Sequence, residues 1–178
     1  MGATTGATTA TPGLRGASLD TLRLTDLRSY STLDVAFGPG AHLVWGPNAA
    51  GKTSLLEAMV VLARGGSHRT TTDAELVRWG SDIARIEGRA GDDAMEVALV
   101  RPGSAAAASG ARKRIRVNGV PRRATALADR LRVVLFAPED MLLVAGSPSL
   151  RRTIVDQLGS TLLPGYAANL ATYGRALQ

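Results

Sequence analysis

The sequence has 178 residues, a formal net charge of +6 at pH 7 and no cysteine. It therefore excludes a disulfide framework and a cysteine-based zinc site, and it agrees with a reducing, cytoplasmic compartment. We expect no membrane span, because no apolar stretch reaches the roughly 18 residues that a transmembrane helix needs. Lys52 and Lys113 are the only lysines, so arginine carries most of the positive charge, which suits phosphate or nucleic-acid partners.

The first segments of the chain predict a tail followed by three strands. Residues 1–18 are rich in threonine, alanine and glycine, which predicts a disordered tail. Apolar and polar residues alternate in Leu19–Leu24 and again in Leu33–Phe37, so these segments predict half-buried strands joined by a turn at Asp26–Tyr30. The apolar run Leu43–Trp45 predicts a third, buried strand.

The next stretch has the pattern Gly-x-x-x-x-Gly-Lys-Thr of a phosphate-binding P-loop. Its residues are Gly46, Pro47, Asn48, Ala49, Ala50, Gly51, Lys52 and Thr53. Apolar residues at helical spacing in Leu55–Ala63 predict a helix directly after it. The glycines let successive N–H groups turn toward phosphate oxygens, and the helix adds the positive end of its dipole. We expect Lys52 to reach the β- and γ-phosphates of ATP and the Thr53 hydroxyl to bind Mg²⁺.

The region after the P-loop helix predicts a short helix and a hairpin. Gly65 and its neighbour are expected to end the first helix, and Ser67–Thr72 is a polar loop. Asp73 is a candidate N-cap for a short helix that runs to Trp79. The alternating segments Ile83–Arg89 and Met95–Arg101 predict two strands joined by a tight turn.

A group of basic residues follows residues 103–110, whose low complexity predicts a flexible loop. The group consists of Arg112, Lys113, Arg114, Arg116, Arg122 and Arg123. Alternation puts Arg112, Arg114 and Arg116 on one face of a strand, and Asn118-Gly119 is a strong signal for a two-residue hairpin turn. Two interpretations stay open: contacts with DNA phosphates, or the solvated face of an edge strand.

The last quarter of the chain contains an apolar run and two predicted helices. Arg132–Phe136 precedes the acids Glu139 and Asp140, as in a Walker B strand that binds Mg²⁺. A Walker B acid follows its strand directly, whereas here two residues intervene and one is a proline, so this interpretation is not favoured. Ser147-Pro148 predicts the start of a helix, and a last amphipathic helix follows Pro164-Gly165.

Several of these segments, in this order, resemble the RecF family of SMC-like, ABC-type P-loop ATPases. The segments are Asp26–Tyr30, the P-loop with Pro47–Ala50, Leu55–Ala58, Ser67–Thr70, Asp73–Gly80, Ala137–Asp140, and Gly146–Arg152 with Asp156. The resemblance implies an α/β fold, the P-loop NTPase head of the ABC/SMC type. Residues 19–136 would form the ATP-binding lobe, with a mixed sheet and a β-rich flank, and residues 137–178 the start of a helical lobe.

The same resemblance implies a function in DNA replication and repair. It implies a protein that binds ATP and Mg²⁺, forms an ATP-dependent homodimer, and binds DNA at single-strand/double-strand junctions. Such a protein assists recombinase loading at gaps, in recombinational repair and the SOS response, together with RecO- and RecR-type mediator proteins. It also places Arg28, with Ser29, beside the phosphates of the nucleotide.

Some expected parts of such an ATPase are not convincing in this sequence, namely a Walker B acid and a Leu-Ser-Gly-Gly-Gln-like signature. We therefore expect the front half of a longer protein, in which weak ATPase activity belongs to the complete dimer. An unpaired apolar sheet edge would follow from such a truncation. Two alternatives stay open: a small P-loop kinase with Asp140 as its metal acid, and a non-catalytic fragment that binds nucleotide.

Overall fold

The computed structural model describes residues 18–110, 112–137, 147–163 and 165–176. Its strands are β1 (Thr21–Leu27), β2 (Tyr30–Ala36), β3 (Ile83–Ala90), β4 (Asp93–Val100), β5 (Lys113–Val117) and β6 (Val120–Pro121). Its helices are α1 (Lys52–Arg64), α2 (Thr125–Ala128), α3 (Pro148–Leu162) and α4 (Tyr166–Ala176), with 3-10 turns at Asp73–Leu76 and Ala105–Ser109. The predicted tail, apart from Ser18, and the acids Glu139 and Asp140 lie outside the described residues.

The six strands form one antiparallel sheet in the order β2-β1-β3-β4-β5-β6. Because side chains alternate along a strand, the inner face of the sheet is apolar and the outer face is polar. Leu24, Ile86 and Val97 are fully buried on the inner face. α1 packs across this face, where Gly88 leaves room for the side chain of Leu62. The core of the described chain therefore lies between the P-loop helix and the sheet.

The predicted hairpins are confirmed. β1 and β2 pair around the Arg28-Ser29 turn, and β3 and β4 pair around Gly91-Asp92. At the third hairpin, Asn118 and Gly119 both have positive φ angles, 52° and 75°. Two successive positive φ angles are the mark of the tight turn that matches the twist of the flanking strands.

The predicted buried strand at Leu43–Trp45 is wrong for the described structure. These residues have no regular secondary structure, and the side chains of Leu43 and Trp45 are 85% and 84% exposed. A strand is buried only when neighbouring strands cover it and accept its backbone hydrogen bonds. The six-stranded sheet described here supplies no such neighbour for this run.

Two smaller predictions also need correction. The predicted helix from Asp73 to Trp79 is a single 3-10 turn that stops at Leu76, because Val77 forms a β-bridge with Leu27. Its N-cap is Thr72, without a side-chain hydrogen bond. The predicted loop at residues 103–110 contains the 3-10 turn Ala105–Ser109.

α3 and α4 form a helical hairpin, as their predicted start signals indicate. The hydroxyl of Tyr166 donates a hydrogen bond to Asp156 Oδ1 at 2.8 Å, and this bond raises the pKa of Tyr166 above its usual value. The Tyr166 ring lies so close to Gly159 that a Cβ there would be 2.8 Å from it. Within the described ranges, no helix is both long and apolar enough to cross a bilayer.

Candidate nucleotide-binding site

The P-loop forms a tight curve that ends at the N-terminus of α1. Gly46, Ala49 and Gly51 have positive φ angles of 148°, 64° and 97°. Gly51 is the N-cap of α1 in the left-handed conformation, which residues with a Cβ rarely adopt. The amide of Ala50 donates to the carbonyl of Pro47 at 3.3 Å, so the loop turns back on itself before the helix begins.

The side chain of Lys52 folds back onto the first residues of the P-loop. Its Nζ donates to the carbonyl oxygens of Gly46 and Pro47 at 2.9 and 2.7 Å. The ammonium group is thus held against the loop from which it would contact a bound anion. Phosphate oxygens are charged acceptors and form stronger hydrogen bonds with an ammonium than neutral carbonyls do.

The β1–β2 turn forms the wall behind the P-loop. A Cβ at Gly51 would lie 2.8 Å from Tyr30 Oη and 3.0 Å from Ser29 Oγ. Gly51 is buried at this contact, so a larger residue would displace either the turn or the loop. The structure therefore brings Ser29 to the P-loop, next to the site for which the resemblance predicts it.

The guanidinium of Arg28, which the resemblance places beside the phosphates, is hydrogen-bonded to Glu57 in the structure. Its Nε and Nη2 donate to the two carboxylate oxygens of Glu57 at 3.0 and 2.9 Å, and its Nη1 donates to the Glu75 carbonyl at 2.9 Å. The hydrogen bond with Glu57 raises the pKa of Arg28 although burial opposes it. Contact between Arg28 and a nucleotide stays a prediction.

Glu57 is the residue of this region that sequence reasoning missed. Its side chain is fully buried on α1, and it also accepts hydrogen bonds from Ser67 Oγ at 2.6 Å and Arg69 Nη1 at 3.4 Å. Burial by itself raises the pKa of Glu57, but the hydrogen bonds from Arg28 and Ser67 and the two positive charges outweigh it, so the pKa lies below its ordinary value. The available signal was an acid between Leu55 and Ala58 on an otherwise apolar helix face.

The predicted Mg²⁺ ligand Thr53 lies in the first turn of α1, with an exposed side chain. Among the described residues, no group of three or more His, Cys, Asp or Glu side chains could hold a metal ion. Binding of Mg²⁺ by the Thr53 hydroxyl stays a prediction.

The structure separates the basic residues into two groups. Arg114 and Arg116 point outward from β5, while Ile115 and Val117 point into the core. Arg112, Arg122 and Arg123 are exposed near the same edge of the sheet. Arg116 also pairs with Glu96 at 3.8 Å. These five arginines, called the arginine edge below, form a solvent-facing surface.

Lys113 lies on the opposite side of the sheet from the outward arginines. Its Nζ donates to the Gly65 carbonyl at 2.6 Å and pairs with Asp73 Oδ2 at 2.7 Å. The side chain therefore ties β5 to the C-terminus of α1 and to the following 3-10 turn. Asp73, the expected N-cap, is used in this ion pair.

Comparison with known proteins defines the class. A family model described as an AAA domain matches residues 21–123, more than half of the chain, so the chain belongs to this family. A curated relative from Chloroflexus aurantiacus, "DNA replication and repair protein RecF", is 43% identical over 169 residues. That alignment covers 88% of this chain and 43% of the relative.

Solved structures agree with this relationship. The structure of "the recombination mediator protein RecF-ATPrS in RecFOR pathway" has a TM-score of 0.77 and 27% identity, and the match covers 90% of this chain and 43% of that one. A structure described as concerning ATP-driven dimerization of SMC ATPases has a TM-score of 0.60 and 16% identity. That match covers 79% of this chain and 98% of the other chain. The predicted resemblance to RecF and the predicted P-loop NTPase fold are confirmed. The chain spans about 42% of the length of the curated relatives it matches.

Proposed function

We propose that this chain binds ATP with Mg²⁺ at Gly46–Thr53. The observation that carries the proposal is the curved P-loop, in which Lys52 Nζ is hydrogen-bonded to two loop carbonyls and the left-handed Gly51 lies against Ser29 and Tyr30. In this proposal Lys52 contacts the terminal phosphates, Thr53 binds the metal, and the loop amides surround the phosphate chain. Arg28 and Ser29 stand next to the site as further candidates.

The chain would act within a RecF-type protein of DNA replication and repair. Relatives carry that name, and a structural neighbour is described as a recombination mediator of the RecFOR pathway. We propose ATP-dependent homodimerisation of the complete protein, binding to gapped or single-strand/double-strand DNA, and assistance to recombinase loading in the cytoplasm. Mediator proteins of the RecO and RecR type would be its partners, and the arginine edge its DNA surface.

The first test is nucleotide binding by the protein and by Lys52→Ala. Removing a charge-assisted hydrogen-bond donor should raise the Kd for a fluorescent ATP analogue by about 10- to 100-fold, with unchanged circular dichroism. Arg89→Ala is the matched control, since it removes one positive charge from the outer face of the sheet. It should bind the nucleotide as the unchanged protein does.

A second arm measures retention on gapped DNA with and without ATP. Retention that rises with ATP and is lost in Lys52→Ala would support the repair function. A folded Lys52→Ala protein that binds ATP normally would contradict the site. Normal ATP binding with no effect of ATP on DNA retention, in the complete gene product, would contradict the DNA function and leave only a nucleotide-binding module.

A further inference from the structure

The buried carboxylate of Glu57 joins three segments that are distant in the sequence. Arg28 comes from the β1–β2 turn, Glu57 from the middle of α1, and Ser67 and Arg69 from the loop after that helix. Both carboxylate oxygens are used: Oε1 accepts from Arg28 and Ser67, and Oε2 from Arg28 and Arg69. The carboxylate thus holds all three segments in one arrangement.

The loop side of this cluster is built around one hydroxyl. Ser67 Oγ donates to Glu57 and accepts hydrogen bonds from the amides of Arg69 and Thr70 at 2.9 and 3.3 Å. The same hydroxyl therefore sets the backbone of the Ser67–Thr70 loop and connects it to the buried acid. The neighbouring Thr71 is exposed at the loop surface.

The other side of the cluster reaches the P-loop. Arg28 adopts a positive φ of 51°, an uncommon conformation for a residue with a side chain, and its amide donates to the Leu76 carbonyl. Ser29 and Tyr30 follow directly and pack against Gly51, the N-cap of α1. A shift of the Arg28 guanidinium would therefore move the wall behind the P-loop.

We propose that Glu57 is a positioning residue that couples the Ser67–Thr70 loop to the P-loop through Arg28 and the β1–β2 turn. Through this connection, the state of the loop sets how well Gly51 and Lys52 are placed for a phosphate. The effect on nucleotide affinity rests on the proposed function, whereas the mechanical coupling itself does not.

The test uses Ser67→Ala, with Thr71→Ala as the matched control in the same loop. In the nucleotide-free protein, Ser67→Ala should speed amide hydrogen exchange in residues 27–31 and 51–55 by about 2- to 30-fold, the range of coupling through such networks. The Kd for the ATP analogue should rise by the same factor. Thr71→Ala should change neither quantity.

A double-variant cycle assigns the coupling to Glu57. Adding Ser67→Ala to Glu57→Gln should cause no further loss of affinity, because the connection is already broken. Additive losses would overturn the role of Glu57. If Glu57→Gln does not fold, the hydrogen-exchange pattern of Ser67→Ala tests the coupling by itself. Faster exchange that is confined to residues 67–72, or that is spread evenly over the whole chain, would overturn the proposal.

The proposal and the proposed function fail in different ways. Normal ATP binding that Ser67→Ala leaves unchanged, with no exchange effect at residues 51–55, would overturn the coupling and leave the nucleotide site intact. Faster exchange at residues 27–31 and 51–55 in a protein that binds no nucleotide would support the coupling and contradict the nucleotide site.

Discussion

The carboxylate of Glu57 lies where an unpaired charge would cost several kcal/mol, because burial removes its hydration. Arg28 offsets this cost with two hydrogen bonds, and Ser67 and Arg69 contribute one each. A buried pair of this kind contributes little compared with an apolar pair of the same shape, but removing one partner is strongly destabilising. Replacing Glu57 or Arg28 should therefore have a large effect on stability.

We predict that Glu57→Gln lowers the free energy of unfolding by about 3 kcal/mol at pH 7. The fold lowers the pKa of Glu57, so at acidic pH the unfolded chain binds more protons than the folded chain does. The stabilisation by the charged carboxylate is therefore fully present above the ordinary glutamate pKa. It is lost as the pH falls through the lower pKa of the folded state. The difference between the two proteins should shrink from about pH 4.5 downward, as measured by urea unfolding at several pH values.

Glu87→Gln is the control for this pH series. Glu87 lies on the polar, outer face of the sheet, so its replacement should change the free energy of unfolding by no more than about 0.5 kcal/mol. A difference between the wild-type protein and Glu57→Gln that stayed constant down to about pH 3 would show that the fold does not lower the pKa of Glu57.

At the scale of elements, α1 is delimited by two left-handed glycines. Gly51 begins it against the β1–β2 turn, and Gly65 ends it with a φ of 74° and an amide that donates to the Val61 carbonyl. A Cβ at Gly65 would lie 2.7 Å from the Cβ of Ala124 and 3.3 Å from Cδ1 of Ile115. Glycine is therefore needed at position 65 for two reasons: its backbone angle is left-handed, and the start of α2 lies too close for a side chain.

We predict that Gly65→Ala lowers the free energy of unfolding by about 2 to 4 kcal/mol, the sum of left-handed strain and overpacking. Gly66→Ala is the matched control, because a Cβ there meets nothing within 4 Å. It should be neutral or slightly stabilising, by up to about 1 kcal/mol. Urea unfolding midpoints compare the two variants, and equal losses would show that neither the angle nor the contact with α2 matters.

At the scale of the whole molecule, apolar burial and exposure are unevenly distributed. α1 and the inner sheet face form the core, whereas Leu43, Trp45, Val134 and Phe136 are 70% to 85% exposed. Both apolar runs have the composition of strands but no regular secondary structure in the described residues. These exposed side chains lie outside the described sheet, so the unpaired apolar sheet edge expected from the sequence stays a prediction. The division into an ATP-binding lobe and a helical lobe stays a proposal.

The proposed binding of DNA depends on positive charge at the outer surface of the sheet. The arginine edge contains five exposed guanidinium groups, and each phosphate contact releases counterions from DNA. We predict that replacing Arg112, Arg114 and Arg116 by alanine weakens DNA binding and lowers the slope of log K against log salt by about 2 to 3. Fluorescence anisotropy on gapped DNA at several salt concentrations measures both.

The matched control removes the same charge from the rest of the outer face. Arg23, Arg85 and Arg89 stand on β1 and β3, and Arg23 and Arg85 pair with Asp34 and Glu96. Their replacement by alanine should leave the salt slope unchanged. An unchanged slope after substitution of the arginine edge would assign that edge to the solvated surface of the sheet.

The sequence alone predicted the P-loop, the three hairpins and the starts of α1 and α3, because each depends on residues that are close together in the chain. A glycine, a proline or an alternating run acts through local backbone geometry. Only the tertiary structure decided the partners of Glu57, since Arg28 is 29 positions away. The tertiary structure also decided that Lys113 contacts Gly65 and Asp73, and it left Leu43–Trp45 exposed, because both outcomes depend on which segments meet in space.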